Sequence, residues 1–302
     1  MTSDFADALA SGRPLVLDGG LSNQLESAGH DLTDDLWSAR LLAEDPGAIT
    51  EAHLAYFEAG ADVAITSSYQ ATFEGFARRG IGPERAAELL TLSVAAARAA
   101  ARRARTDRRL WVAASAGPYG AMLADGSEYR GRYGIGAAAL ERFHRPRLEV
   151  LAAARPDVLA LETVPDTEEA AVLLRVVRSL GVPAWLSYTV TGDRTRAGQP
   201  LEEAFALAAD AEEVIAVGVN CCAPEDVPGA VETAARVTGK SVVVYPNSGE
   251  AWNAEARSWE GPYSFDAGQV RRWRAAGARL IGGCCRVGPG TIRSVAAALA
   301  PV

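Results

Sequence analysis

Cysteine is absent from the first 220 residues of this 302-residue chain, lysine occurs once and histidine three times. No run approaches 18 consecutive apolar residues, so no helical membrane span is expected. The segment from Met1 to Asp7 carries two acids and no basic stretch, which excludes a secretory signal there and makes the cytoplasm the default location. Basic residues are outnumbered, 30 Lys and Arg against 38 Asp and Glu, for a formal charge of −8. That balance argues against a nucleic-acid surface, which needs clustered cations. The one basic run, Arg98 to Arg109, reads as the solvated face of an Ala-rich helix. No linker, low-complexity stretch or fixed-period repeat divides the chain, so residues 1–302 are taken as one domain.

Present instead is a series of short apolar runs: 14–18, 62–67, 110–116, 157–162, 184–189, 213–220, 241–247 and 279–284. Each has the length and continuous apolarity of a strand buried on both faces. Amphipathic stretches alternate with them, notably 49–59, 83–104, 168–180 and 269–276. Eight strands alternating with helices predict an α/β fold, the (β/α)₈ TIM barrel. A doubly wound open sheet is the rival. It would usually carry GxGxxG after the first strand, where this chain has Asp18-Gly19-Gly20-Leu21-Ser22-Asn23. The glycine-dense segment 117–136 follows the third strand and would overhang the barrel mouth, as a lid or as decoration.

Parallel barrels place active sites at the C-terminal ends of their strands. The distinctive residues fall at those ends: Asp18-Gly19-Gly20, Tyr69, Glu162-Thr163, Asn220-Cys221-Cys222, Tyr245-Pro246-Asn247 and Cys284-Cys285. Strands six and eight are separated by a single strand, so thiols at both ends can reach one ion. Adjacent residues on a regular strand point to opposite faces, and Gly282-Gly283 would let the backbone break that alternation. Cys221, Cys284 and Cys285 then give a three-sulfur site. Zinc prefers four ligands, which leaves one position for water or substrate, the arrangement of a catalytic site. The plainer alternative is four buried free thiols. Cys222 is expected to pack inertly. In a reducing cytosol a disulfide framework is not expected. Asp18 and Glu162 suit an ammonium, and free N–H groups in the turn at Gly19 and Gly20 suit a carboxylate. Helix capping by Asp18 is its bland alternative. None of His30, His53 and His144 sits at a strand end. His30 and His53 are read as ordinary surface or helix-packing residues.

These residues carry a resemblance. Gly218-Val219-Asn220-Cys221 followed far downstream by Gly282-Gly283-Cys284-Cys285-Arg286 resembles the homocysteine S-methyltransferase family. The likeness extends through Leu17-Asp18-Gly19-Gly20, Asp35-Leu36-Trp37-Ser38-Ala39, Ser67-Ser68-Tyr69-Gln70-Ala71-Thr72, Gly117-Pro118-Tyr119-Gly120-Ala121, the segment 123–131, Phe143-His144-Arg145-Pro146-Arg147 and the segment 244–250. It covers about residues 13–300 and resembles the branch using S-methylmethionine or S-adenosylmethionine. The resemblance implies a (β/α)₈ barrel and zinc-dependent transfer of a methyl group to the thiolate of L-homocysteine, giving L-methionine. It implies Cys221, Cys284 and Cys285 as zinc ligands. Asp18, Gly19, Gly20, Glu162 and Asn220 would bind the homocysteine amino-acid end, and Trp37 and Tyr69 would line the donor pocket. No side chain is expected to act as a catalytic acid or base. The partners implied are L-homocysteine and a methyl-sulfonium donor, with no nucleic acid and no membrane; a homo-oligomer is compatible with the sequence.

The chemistry agrees with that implication. A free thiol is mostly protonated at neutral pH, and the thiolate is the nucleophile. Metal coordination deprotonates a thiol. A sulfonium donor brings its own positive charge and leaves as a neutral thioether, so no general acid is required, and aromatic faces can hold the cation. The alternatives are a betaine- or other-donor homocysteine methyltransferase, a zinc or redox sensor without turnover, and a zinc hydrolase. Hydrolases favour His and carboxylate ligands, whereas three thiolates favour a thiol.

Overall fold

A computed structural model describes residues 4–32, 36, 38–253 and 258–300. Eight parallel strands form one sheet: β1 (Leu15–Val16), β2 (Val63–Ile65), β3 (Trp111–Ala116), β4 (Val158–Val164), β5 (Ala184–Tyr188), β6 (Val214–Asn220), β7 (Ser241–Tyr245) and β8 (Ala278–Ile281). Their order is β1-β8-β7-β6-β5-β4-β3-β2. The Leu17–Val63 bridge closes the ends, with Asp18 N donating to Val63 O at 3.0 Å and Asp62 N to Val16 O at 2.7 Å. The expected barrel is therefore formed. One outer helix follows each strand: Pro46–Ala59, Pro83–Arg103, Ala137–Ala153, Thr167–Val177, Leu201–Ala206, Val227–Thr238, Ala267–Ala276 and Pro289–Leu299.

Alternation along the strands sorts the core into two shells. Leu15, Val63, Trp111, Ala113, Val158, Ala160, Trp185, Ala216, Val243 and Leu280 fill the barrel interior. Phe5 and Leu9, from the helix Asp4–Ala10, join that cluster. Val16, Ala64, Val112, Leu159, Leu186, Val217, Val242 and Ile281 face the helices instead. Continuing the inward set by two residues reaches Ser115, Glu162, Ser187 and Tyr245, and by four from Ala216 reaches Asn220, all buried. Strand period alone thus turns these polar groups into the barrel.

Several strand ends differ from the sequence expectation, and two of the differences bear on the site. β4 continues to Val164, past Glu162, because Val164 still pairs with Tyr188. β8 stops at Ile281, and Gly282 to Cys285 lie beyond it. The basic run is also more than a solvated face. Arg108 donates to the carbonyls of Phe57, Gly60 and Ala61 at 2.8–2.9 Å, closing the end of the helix Pro46–Ala59. Segment 117–136 contains the helix Tyr119–Leu123 and a 3₁₀ turn, Ser127–Tyr129. It is tied to the barrel where Tyr119 N donates to Glu169 Oε1 at 2.6 Å and Gln70 Nε2 to Ala121 O at 3.0 Å. His53 packs within a helix and is buried, as is His144, which lies 2.8 Å from Glu169 Oε1. No described helix is long and apolar enough to cross a membrane.

Candidate active site

Two chain segments deliver the cysteines, and β7 stands between them. Cys221 N donates to Tyr245 O at 3.2 Å, and Asn247 N to Cys222 O at 2.9 Å. On the other side Cys284 N donates to Pro246 O at 2.8 Å, and Asn247 Oδ1 accepts from Cys285 N at 3.1 Å. Residues 245–247 therefore hold both segments in register. Cys221 adopts φ +48, a left-handed backbone that non-glycine residues adopt at a cost. That kink takes Cys221 out of the strand alternation just after the inward Asn220. The expected agent of such a break, Gly282-Gly283, is not left-handed; Arg286 is, at φ +67. Gly282 has a steric task, since a Cβ there would come within 2.5 Å of the Leu17 side chain.

The sulfurs of Cys221, Cys284 and Cys285 all lie within 4.8 Å of one another. Thiolates around tetrahedral zinc, with Zn–S near 2.3 Å, sit about 3.8 Å apart. The Cys284 and Cys285 sulfurs are 4.0 Å apart. Cys221 and Cys284 are joined as a disulfide, with Cα atoms 5.7 Å apart. A disulfide is not what a reducing compartment would favour. Two thiols brought together to share an ion are also within reach of each other. Cys285 keeps its thiol, which burial, then the charges of Glu128, Glu26 and Glu162, push up to about 12. Cys222 is buried in the helix-facing core, and burial raises its thiol further.

Asp18 and Glu162 are 1% and 6% exposed. Asp18 Oδ2 accepts from Ile65 N at 2.8 Å, while Oδ1 is buried with no partner. Ser67 Oγ, just beyond the adjacent β2, is likewise buried and unpartnered. Native proteins pair nearly all such atoms, so two unpartnered acceptors at the barrel mouth are free to take a donor from water or a ligand. Burial, then repulsion from Glu162, holds the Asp18 carboxyl well above the usual carboxylate range. Burial pushes Glu162 up to about 7 despite hydrogen bonds from Ser115 and Tyr245. A cation beside two buried carboxylates that repel each other would favour their ionised forms.

Other expected site residues have different surroundings. Gly20 N is already taken by Val287 O at 2.9 Å, so it is not free to bind a carboxylate. A Cβ on Gly20 would come within 2.7 Å of Cys284 O, and one on Gly19 would collide with Val287 O. Both glycines let the β1 end lie against the cysteine turn. Asn220 Nδ2 donates to Thr163 Oγ1 at 2.7 Å; its Oδ1 accepts from Thr163 N at 2.7 Å and Ser187 Oγ at 2.8 Å. It thereby clamps Thr163, left-handed at φ +59, directly after Glu162. Tyr69 is half-buried, with Tyr129, Glu128, Thr163 and Glu162 influencing its hydroxyl. Trp37 lies outside the described residues. The sequence reading missed Ser115 and Ser187, and it gave Asn247 no task beyond its place at a strand end. Only the strand period, carried past the apolar run, could have signalled the two serines.

The profile of the homocysteine S-methyltransferase family matches residues 15–299. The chain belongs to the homocysteine S-methyltransferase family. Homocysteine S-methyltransferase 4 of Zea mays is 47% identical, across 94% of this chain and 89% of its own. Two structures of the Escherichia coli homocysteine methyltransferase MmuM match closely. The metallated form is 41% identical with a TM-score of 0.86, over 96% of this chain and 98% of its own. The oxidized form is 42% identical with a TM-score of 0.85, over 94% and 96%. Family membership does not favour the sensor and hydrolase alternatives. It also agrees with a cysteine cluster able to hold a metal.

Proposed function

We propose that this protein transfers a methyl group from a sulfonium donor to L-homocysteine, giving L-methionine, with zinc held by Cys221, Cys284 and Cys285. The observation that carries this reading is the trio of convergent sulfurs close to the repelling Asp18–Glu162 pair. The three thiols fit zinc in number, spacing and softness once the Cys221–Cys284 bond is reduced. When bound, zinc supplies Lewis acidity that keeps a substrate thiol deprotonated at neutral pH. Asp18 Oδ1 and Glu162 take the homocysteine ammonium, whose charge relieves their repulsion. Gly19 and Gly20 keep the β1 end against the cysteine turn, and Asn220 positions Glu162 through Thr163. Tyr69 and Trp37 offer aromatic faces to the donor cation. Transfer then needs in-line positioning of sulfur and methyl, with no protein acid for the neutral leaving thioether.

The test is methionine formation by the reduced, zinc-loaded protein with homocysteine and each donor in turn. S-methylmethionine is expected to react fastest, S-adenosylmethionine more slowly, and betaine not measurably. Efficient turnover with betaine alone would overturn the donor assignment.

A further inference from the structure

One buried acid near the mouth has no part in the site described above. Glu128 sits in the 3₁₀ turn Ser127–Tyr129, and its backbone is fixed from several sides. Asp125 Oδ1 accepts from Ser127 N at 2.9 Å, Tyr129 N donates to Gly126 O at 3.1 Å, and Gly131 N to Ser127 O at 3.0 Å. The turn is seated on Gly120, where any Cβ would collide with Glu128 N. The Glu128 side chain is held as firmly out of solvent. The residue is 6% exposed, and its Oε2 is buried without a hydrogen-bond partner. Gly117, three residues before Gly120, carries the Tyr69 ring, which would lie 2.6 Å from a Cβ there, so the turn is seated on the Tyr69 side of the mouth. The Glu128 charge also raises the Tyr69 hydroxyl.

Burying a carboxylate oxygen with nothing donating to it is costly, so the arrangement calls for a ligand that brings a hydrogen-bond donor. Asp18 follows β1, Glu162 sits on β4, and both are occupied with the homocysteine end. Glu128 enters from the segment after β3, on the side of Tyr69. A sulfonium centre and a quaternary ammonium carry charge but no N–H or O–H. An orphaned acceptor needs a donor, and the α-ammonium is the cationic group of an amino-acid sulfonium that carries N–H. We propose that Glu128 binds the α-ammonium group of the methyl donor and so selects sulfonium donors that are themselves amino acids. This rests on the methyl-transfer reading above and names the feature of the donor that the site recognises.

The test compares two donors that differ by one group. They are S-methylmethionine and (3-carboxypropyl)dimethylsulfonium, the same skeleton without the ammonium. Reduced, zinc-loaded wild-type protein should show kcat/KM for S-methylmethionine roughly 10- to 100-fold above the deaminated donor, the usual loss for one charge-assisted hydrogen bond. In Glu128→Gln that preference should collapse, through S-methylmethionine alone, with KM for homocysteine unchanged. Glu128→Asp, which keeps the charge, should retain part of it, and it serves as the test if the Gln variant does not fold. Equal loss with both donors would show a structural role and overturn the proposal. So would a wild-type preference surviving in Glu128→Gln. Turnover of neither sulfonium by the wild type would overturn the methyl-transfer reading and this one with it.

Discussion

Cys221→Ala, Cys284→Ala and Cys285→Ala are each expected to lose tight zinc binding and methyl transfer, while Cys222→Ala keeps both. Each of the first three removes one of three sulfurs that lie within 4.8 Å of one another. Losing even an outer partner of a metal ligand costs about 10- to 100-fold in affinity, so losing a ligand should exceed that. Cys222 adjoins Cys221 in sequence, but it is buried among helix-facing apolar side chains. Its replacement removes one buried sulfur, for about 1 kcal/mol of stability. The proteins must be compared under reductant, because the Cys221–Cys284 disulfide withdraws two ligands at once. Metal content of the four variants decides the matter. Equal zinc loss in Cys222→Ala would break the ligand assignment.

Glu162→Gln is expected to keep fold and zinc and to weaken homocysteine by one to two decades. The basis is a lost charge-assisted hydrogen bond, roughly 1.5–3 kcal/mol. The variant also changes pH dependence. The wild-type carboxyl sits at about 7, so below that pH a proton must leave before the ammonium can bind. Homocysteine affinity should therefore rise more steeply with pH below 7 than above it. The substrate thiol's own proton release supplies the remaining slope, which Glu162→Gln should retain. Stability in the absence of substrate runs the other way. An acid with a raised folded pKa keeps its proton in the native state after the unfolded chain has released it. Stability is therefore lost as pH rises from about 4.5 towards 7. Titrations of both proteins with homocysteine across this range, alongside thermal melts, check both trends. Unchanged homocysteine affinity in Glu162→Gln would show that the carboxylate serves the barrel alone.

Much of the fold was readable because barrel strands buried on both faces appear as apolar runs, from Leu15–Val16 to Ala278–Ile281. The three cysteines were readable because thiols at the ends of strands six and eight have few other reasons to occur in vicinal pairs. Residues whose role depends on a partner far away in sequence were not. The N–H of Gly20 is taken by Val287 O, 267 positions later, and nothing local announces it. Asn220 resembled a substrate ligand at a strand end, yet its amide is engaged with Thr163 and Ser187 on β4 and β5. The left-handed kinks at Thr163 and Cys221 carry no glycine to betray them. Glu128 lay in a glycine-dense segment that could equally have been decoration. Its burial and its unpartnered oxygen distinguish it.

The central claim is that the three-cysteine site takes the substrate's sulfur as its fourth ligand. Zinc X-ray absorption on the reduced, loaded protein, before and after homocysteine, tests this most directly. Three sulfurs and one lighter atom are expected at the metal without substrate, and four sulfurs once homocysteine is added. An unchanged sulfur count on saturation with homocysteine would contradict it.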